Sequence, residues 1–329
     1  GSLKGGVKEL NLTSGKLRDL LLKDEDNESI YCRTLLFATD NELWIGTESG
    51  AYIYNLRTGK YTHLRSSEYD PYSLSDNAIY SFCKDREDGI WIGSYFGGVN
   101  YYPRSYTHFE KYYPKGEENS LHGKRVREFC RDNYGVLWIG TEDGGLNRFN
   151  LNTKEFSFFA PSAGFTNIHG LCLVDDKLWV GTFSKGLKII DTRTGTVLKT
   201  YQKNSSPRSL IDNSIFAICR TATGDIYLGT MFGLVKYNKQ SDDFDRIPEL
   251  NGKFVYDIKE DSGGNIWLAT YANGAYCYNV NDRKWKNYVH DEKDTTSLSY
   301  NKVSSIFEDS YHRIWLTTQG GGFCLFHPE

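Results

Sequence analysis

"GVLWIGTE" at residues 135–142 runs straight into "DGGLNRFN" at 143–150, and the joined phrase returns with small edits six more times along the chain. "GIWIGSYFGGVNYYP" (89–103), "KLWVGTFSKGLKIID" (177–191) and "NIWLATYANGAYCYN" (265–279) are three of the copies. The central aromatics are Trp44, Trp91, Trp138, Trp179, Tyr227, Trp267 and Trp315, at intervals of 40 to 48 residues. That period belongs to architectures built from one supersecondary unit per repeat. Each unit holds four short runs with the two-residue alternation of strands. In the second repeat these are "AIYSFCKD" (78–85), "GIWIGSY" (89–95), "GVNYYP" (98–103) and "HFEKYYP" (108–114), here called strands A to D. The A–B turns read "DREDG", "DNYG" and "DSGG", as a tight turn capped by Asp and relieved by Gly requires.

Four antiparallel strands recurring at this interval, with no helical pattern, predict an all-β fold: a seven-bladed β-propeller of four-stranded blades. The chain ends after strands A, B and C of its last repeat and begins with a C-like and D-like pair, "VKELNL" and "KLRDLLL". This predicts a ring closed by N- and C-terminal segments that share a blade. Residues 1–329 then form a single propeller, with Gly1-Ser2 as a tag scar. "VKELNL" duplicates a strand C already supplied by "GFCLFH", which suggests excision from a longer multi-propeller array. Trp at the start of strand B is expected to fill the wedge between blades, and Gly to open strand C through a sharp turn.

Composition restricts the function. The chain is 39% hydrophobic and 15% aromatic with a net charge of −3, and it carries no Lys/Arg-rich run of the kind that binds nucleic acid. Its apolar stretches are too short to span a bilayer as a helix, so no membrane contact is expected. Seven cysteines, with no Cys-x-x-Cys pair, read as small buried hydrophobes rather than disulfide, redox or metal positions. No cofactor, no metal and no catalytic motif is called for.

"LWIGTEDGGLNRFN", "IWIGSYFGGVNYY" and "SLSYNKVSSIFEDSYHRIWLTT" resemble the two-component regulator propeller repeats of extracytoplasmic sensor regions. The resemblance implies a periplasmic sensing module of a membrane-bound hybrid histidine kinase, often responding to oligosaccharides from glycan breakdown. It also implies neighbouring propeller and β-sandwich modules, while kinase activity would reside in the intact parent and not in this chain. A second copy of the chain is a further candidate partner.

Positions that vary while their neighbours stay constant are free for function. D–A and B–C loops share one face, and rigid scaffolds bind ligands with such loops. The B–C loops offer Tyr95, Phe96, Glu142, Phe183 and Tyr271; the residue after the constant Ile/Val of strand A reads Tyr80, Arg127, His169, Phe216, Tyr256 and Ser304, with Arg33 in the first repeat, and of these Arg33, Tyr80, Arg127, His169 and Tyr256 are the candidate ligand contacts. The registers of Arg33 and His169 are open, because their A–B turns differ in length. Aromatic faces stack on pyranose C–H groups, and Arg presents a planar fork of donors to hydroxyls or uronate carboxylates. The structural alternative has Tyr95, Phe183 and Tyr271 packing on the next blade. In it Arg33 and Arg127 pair with Glu128, Asp257 or another acid, and His169 is a core histidine. Ser73-Leu74, Ser120-Leu121, Ser209-Leu210 and Ser297-Leu298 recur in D–A loops and are assigned to packing. Two other function classes stand beside sugar sensing: a protein–protein interaction scaffold, and a polysaccharide lyase using Arg127, His169 and Tyr256.

Overall fold

A threonine or serine closes every B–C turn. Its hydroxyl donates to the carbonyl of the glycine opening strand C: Thr47 to Gly50 (2.7 Å), Ser94 to Gly98 (3.0 Å), Thr141 to Gly145 (2.9 Å) and Thr182 to Gly186 (2.8 Å). Thr230 to Gly233 (2.9 Å), Thr270 to Gly274 (2.5 Å) and Thr318 to Gly322 (3.0 Å) repeat the clasp. Each of these glycines has a positive φ, which a side chain would strain. The Gly-Thr…Gly wording of the repeat is therefore a turn clasp. The structure, a computed structural model, describes residues 5–25, 27–104, 109–116, 118–159 and 164–327.

The chain forms two compact units, Gly1–Lys111 and Tyr112–Glu329. In the first, Val7–Leu10 pairs with Leu17–Leu21 as a two-stranded sheet. The Trp44 sheet follows (Cys32–Thr39, Glu42–Thr47, Gly50–Asn55, Tyr61–Leu64), then the Trp91 sheet (Ile79–Lys84, Ile90–Ser94, Val99–Tyr102). The second unit has five sheets. The Trp138 sheet begins with strand A at Val126–Arg131, the Trp179 sheet at Ile168–Val174, the Tyr227 sheet at Ile215–Arg220, the Trp267 sheet at Val255–Glu260 and the Trp315 sheet at Val303–Glu308. All are antiparallel in the order A-B-C-D, with four strands each except the Trp315 sheet, which has three among the described residues. Among the described residues a 3-10 turn, Pro248–Leu250, follows strand D of the Tyr227 sheet.

Within each unit, successive sheets meet through strands A and B, and neighbouring A strands run side by side. The anchors fill the wedges this creates. Trp138 clusters with Ile168, Leu178 and Val180 of the next sheet, Trp179 with Ile215 and Leu228, and Trp267 with Val303, Ile306 and Leu316. Blade-like sheets stacked by their inner strands are the propeller arrangement.

Several expectations are corrected. Trp44, Trp138, Trp179 and Trp267 are buried and Tyr227 is half-buried, but among the other tryptophan anchors Trp91 is 45% exposed and Trp315 is half-buried. Both belong to the last sheet of their unit, where no further sheet of that unit covers the wedge. Cys83, paired opposite Trp91, is exposed for the same reason. Cys130 and Cys219, at the same place in other sheets, are half-buried, and burial pushes both thiols up to about 11. Residues 109–114, expected as strand D of the second repeat, form no strand, and His108 lies outside the described residues. Leu17–Leu21 hydrogen-bonds to Val7–Leu10, as the C-like and D-like pair read from the sequence.

The A–B turns explain the recurring Asp. Asp132 accepts the backbone N–H groups of Tyr134 and Val136 (both 2.9 Å), and its second oxygen accepts the Trp138 indole N–H (2.9 Å). Asp85, Asp261 and Asp309 receive Trp91, Trp267 and Trp315 likewise. Where the anchor is Tyr227, which has no indole N–H, the turn carries Thr221 instead, accepting Asp225 N–H at 3.0 Å.

Candidate functional site

Every strand A carries a β-bulge, and the bulged residue is the variable one. The A–B register skips one residue between Cys32 and Thr34, Ile79 and Ser81, Val126 and Glu128, and Ile168 and Gly170. It skips again between Ile215 and Ala217, Val255 and Asp257, and Val303 and Ser305. The displaced residues are Arg33, Tyr80, Arg127, His169, Phe216, Tyr256 and Ser304. A bulge frees its extra residue from the ladder and re-aims the side chain. The registers of Arg33 and His169 are thereby fixed.

The B–C loops reach the same edge. The N–H of Tyr95 donates to Ala78 O (2.9 Å), Glu142 to Arg125 O (2.9 Å), Phe183 to Asn167 O (3.0 Å) and Met231 to Ser214 O (3.2 Å). Tyr271 donates to Phe254 O (3.0 Å) and Gln319 to Lys302 O (2.8 Å). Each acceptor lies two residues before a bulge. In six of the seven sheets a backbone bond thus ties the loop residue to the end of the D–A loop, and the two variable sets form one rim in each unit.

In the first unit the rim brings together Arg33, Tyr80, Tyr95 and Phe96. The Arg33 guanidinium lies over the rings of Tyr80 (4.2 Å) and Tyr31 (4.8 Å) and pairs with Glu48. Tyr80 stacks on Tyr95 at 5.0 Å and 19°, and Tyr95 meets Phe96 edge-on at 4.3 Å. Tyr95 is 57% and Phe96 86% exposed.

The second unit gathers Arg127, Glu142, His169, Phe183, Tyr256 and Tyr271. Arg127 lies over Tyr256 at 4.9 Å, although their sheets are the first and fourth of the unit. The A strands therefore curl far enough for their bulge residues to meet. Arg127 also pairs with Glu142 at 3.5 Å. Phe216 links the remainder: it lies 4.6 Å from His169, 4.4 Å from Phe254 and 5.8 Å from Tyr256. Phe183 sits 6.0 Å from His169, Phe254 stacks on Tyr271 at 5.4 Å, and the Lys302 ammonium lies 4.0 Å above the Tyr271 ring.

Two groups here are electrostatically displaced. Burial, reinforced by the charge of Asp257, pushes Glu128 up to about 7 against the opposing pull of Arg127 and Lys259. Burial, then the Arg127 charge, holds His169 down to about 4. His169 is 6% exposed, as a core histidine would be, and its Nδ1 has no hydrogen-bond partner among the described residues.

The bland assignments resolve individually. Tyr95 and Tyr271 pack on strand A ends of their own sheets, leaving 57% and 43% of each exposed. The arginines pair with Glu48 and Glu142, in place of Glu128 or Asp257. The Ser-Leu motifs do pack: Leu74, Leu121, Leu210 and Leu298 are buried, while Ser73, Ser209 and Ser297 hydroxyls donate to carbonyls of their own loops. Sequence reasoning placed Phe216 in the variable column without naming it among the binding residues, and it missed the column two residues before each bulge, which supplies Tyr31, Arg125, Phe254 and Lys302. That column varies around a constant Ile/Val just as the bulge column does, so the signal was present.

Blade-like sheets with a variable rim define this as a β-propeller protein. More narrowly, residues 73–96, 120–143, 249–272 and 297–320 match the two component regulator propeller family. Each matched stretch runs from a D–A loop to a B–C loop. A histidine kinase, P4, of Formosa agariphila is 27% identical over 151 residues, covering 46% of this chain and 8% of the kinase. The fold is similar to the extracellular domain of a B. thetaiotaomicron protein described as a hybrid two component system. The TM-score is 0.56 at 18% identity, over 99% of this chain and 45% of that one. It is also similar to PorZ of the Porphyromonas gingivalis type-IX secretion system, with TM-score 0.54 and 15% identity, over 90% of this chain and 46% of that one. The chain thus spans less than half the length of these relatives. Among the described residues no helix is long and apolar enough to cross a membrane.

Proposed function

We propose that this chain is the ligand-sensing module of a periplasmic hybrid two-component sensor, and that its rim binds oligosaccharides released by glycan breakdown. One observation carries the reading: the seven bulges aim chemically varied side chains, rich in aromatic rings and arginine, at the edge where the B–C loops are tied. Packing alone calls for no such variety, since the opposite A–B and C–D turns repeat Asp, Asn, Thr and Gly. Exposed rings such as Tyr95 and Tyr271 offer faces to sugar C–H groups, and the guanidinium groups beside them offer donors to hydroxyls. Neighbouring propeller and β-sandwich modules would carry the signal to the kinase of the parent protein.

Calorimetry of the full chain against neutral and acidic oligosaccharides tests this. Binding is expected at micromolar to millimolar affinity, about −4 to −8 kcal/mol. Tyr95→Ala and Tyr271→Ala should each weaken it by about 1 kcal/mol, roughly five-fold, with melting unchanged. Undiminished binding in both variants would reject the rim. The 86% exposure of Phe96 also suits a protein interface, and a scaffold would show as partner-dependent mass without sugar binding. Arg127 and Tyr256 in contact with His169 close by gives the lyase reading its one support. Unsaturated product accumulating from oligouronides would establish it.

A further inference from the structure

The two rims repeat one constellation. Arg33 and Glu48, like Arg127 and Glu142, join the bulge residue of a sheet to the first residue of its own B–C loop. In each unit the guanidinium also lies over a bulge tyrosine from another sheet, Tyr80 or Tyr256. Asp143 extends the balance in the second unit: its carboxylate accepts the backbone N–H groups of Lys124 (3.0 Å) and Arg125 (3.1 Å), beside the Arg125–Glu142 contact at 4.0 Å. The guanidinium groups are thus matched by carboxylates held in the same loops.

We infer that these Arg–Glu pairs make the rim select uncharged, polyhydroxylated ligands over uronates, a conclusion that rests on the sugar-binding reading above. A hydroxyl both donates and accepts, so neighbouring hydroxyls can accept from the guanidinium and donate to the carboxylate without breaking the pair. A uronate carboxylate only accepts. To reach Arg33 or Arg127 it must displace Glu48 or Glu142, or sit beside it as a like charge, which an interface penalises heavily. Specificity here comes from the repulsive partner as much as from the attractive one. Lys302, over Tyr271, and the exposed Arg125 are cations through which a uronate would bind instead.

The test is titration of the full chain with tetrasaccharides of glucose, galactose, mannose and xylose, and with oligogalacturonate and oligoglucuronate of the same length. At least one neutral sugar is expected to bind roughly ten-fold tighter than either uronate. Glu48→Gln or Glu142→Gln should narrow that preference by roughly five-fold, whereas Glu142→Asp, which keeps the charge, should retain it. Melting curves establish that each variant is folded. Tighter binding of uronates, lost in Lys302→Gln, overturns the inference and leaves sugar sensing intact. Unchanged preference in both Gln variants also overturns it. Binding of no sugar overturns both readings.

Discussion

Trp138→Ala lowers stability by about 3–5 kcal/mol, the range for deleting a large buried aromatic, while Trp91→Ala costs about 1–2 kcal/mol. The two residues occupy the same word of the repeat, so the difference comes from packing. Trp138 has no exposed surface, and it is wedged against Ile168, Leu178 and Val180. The Arg148 guanidinium lies 5.1 Å from its ring. Its indole N–H also satisfies Asp132, which is 5% exposed and holds the A–B turn with its other oxygen. Truncation leaves both a cavity and a buried carboxylate short of a donor. Trp91 keeps the same bond to Asp85 but is 45% exposed, so less contact is lost. Urea midpoints of the two variants decide the matter, and equal losses would mean that Trp91 is covered in solution. Neither substitution should alter ligand preference, because neither residue reaches the rim.

The architecture was readable because its constraints repeat. A hydroxyl residue before a positive-φ glycine, alternation in short runs and, in four sheets, Asp six residues ahead of Trp are local requirements that recur along the chain. The rim was half readable. Variation amid constancy picked out Arg33, Tyr80, Arg127, His169 and Tyr256, but a bulge leaves no mark in the residue types, so their common displacement could not be seen. The Arg–Glu pairs left a trace that was overlooked: Glu48 and Glu142 stand at the same separation from Arg33 and Arg127. The contact of Arg127 with Tyr256 had no sequence signal at all, since it depends on how far a row of A strands curls. Exposure of Trp91 was equally hidden, because it reflects where a compact unit ends and not what the repeat says.

Stability of the second unit should respond to pH through two neighbouring groups of opposite sign. Glu128 is raised from 4.5 to about 7, first by burial and then by Asp257. Its contribution is complete below the unfolded value of 4.5 and is lost as pH rises through about 7. His169 is lowered from 6.5 to about 4, first by burial and then by Arg127. Its contribution is complete above 6.5 and is lost as pH falls through about 4. At about 1.4 kcal/mol per pKa unit, His169 is worth about 3 kcal/mol across that window, and Glu128, partly exposed and therefore screened, about 2 kcal/mol. Glu128→Gln should thus gain on the parent chain between pH 5 and 8, with the gain levelling off above 7. His169→Gln should flatten the acid limb between pH 6.5 and 4. Urea midpoints collected from pH 4 to 8 measure both slopes. If the Glu128→Gln profile runs parallel to the parent's from pH 5 to 8, Glu128 is already ionised in the folded state. Glu128 would then be hydrated, and burial beside Asp257 would not hold its proton.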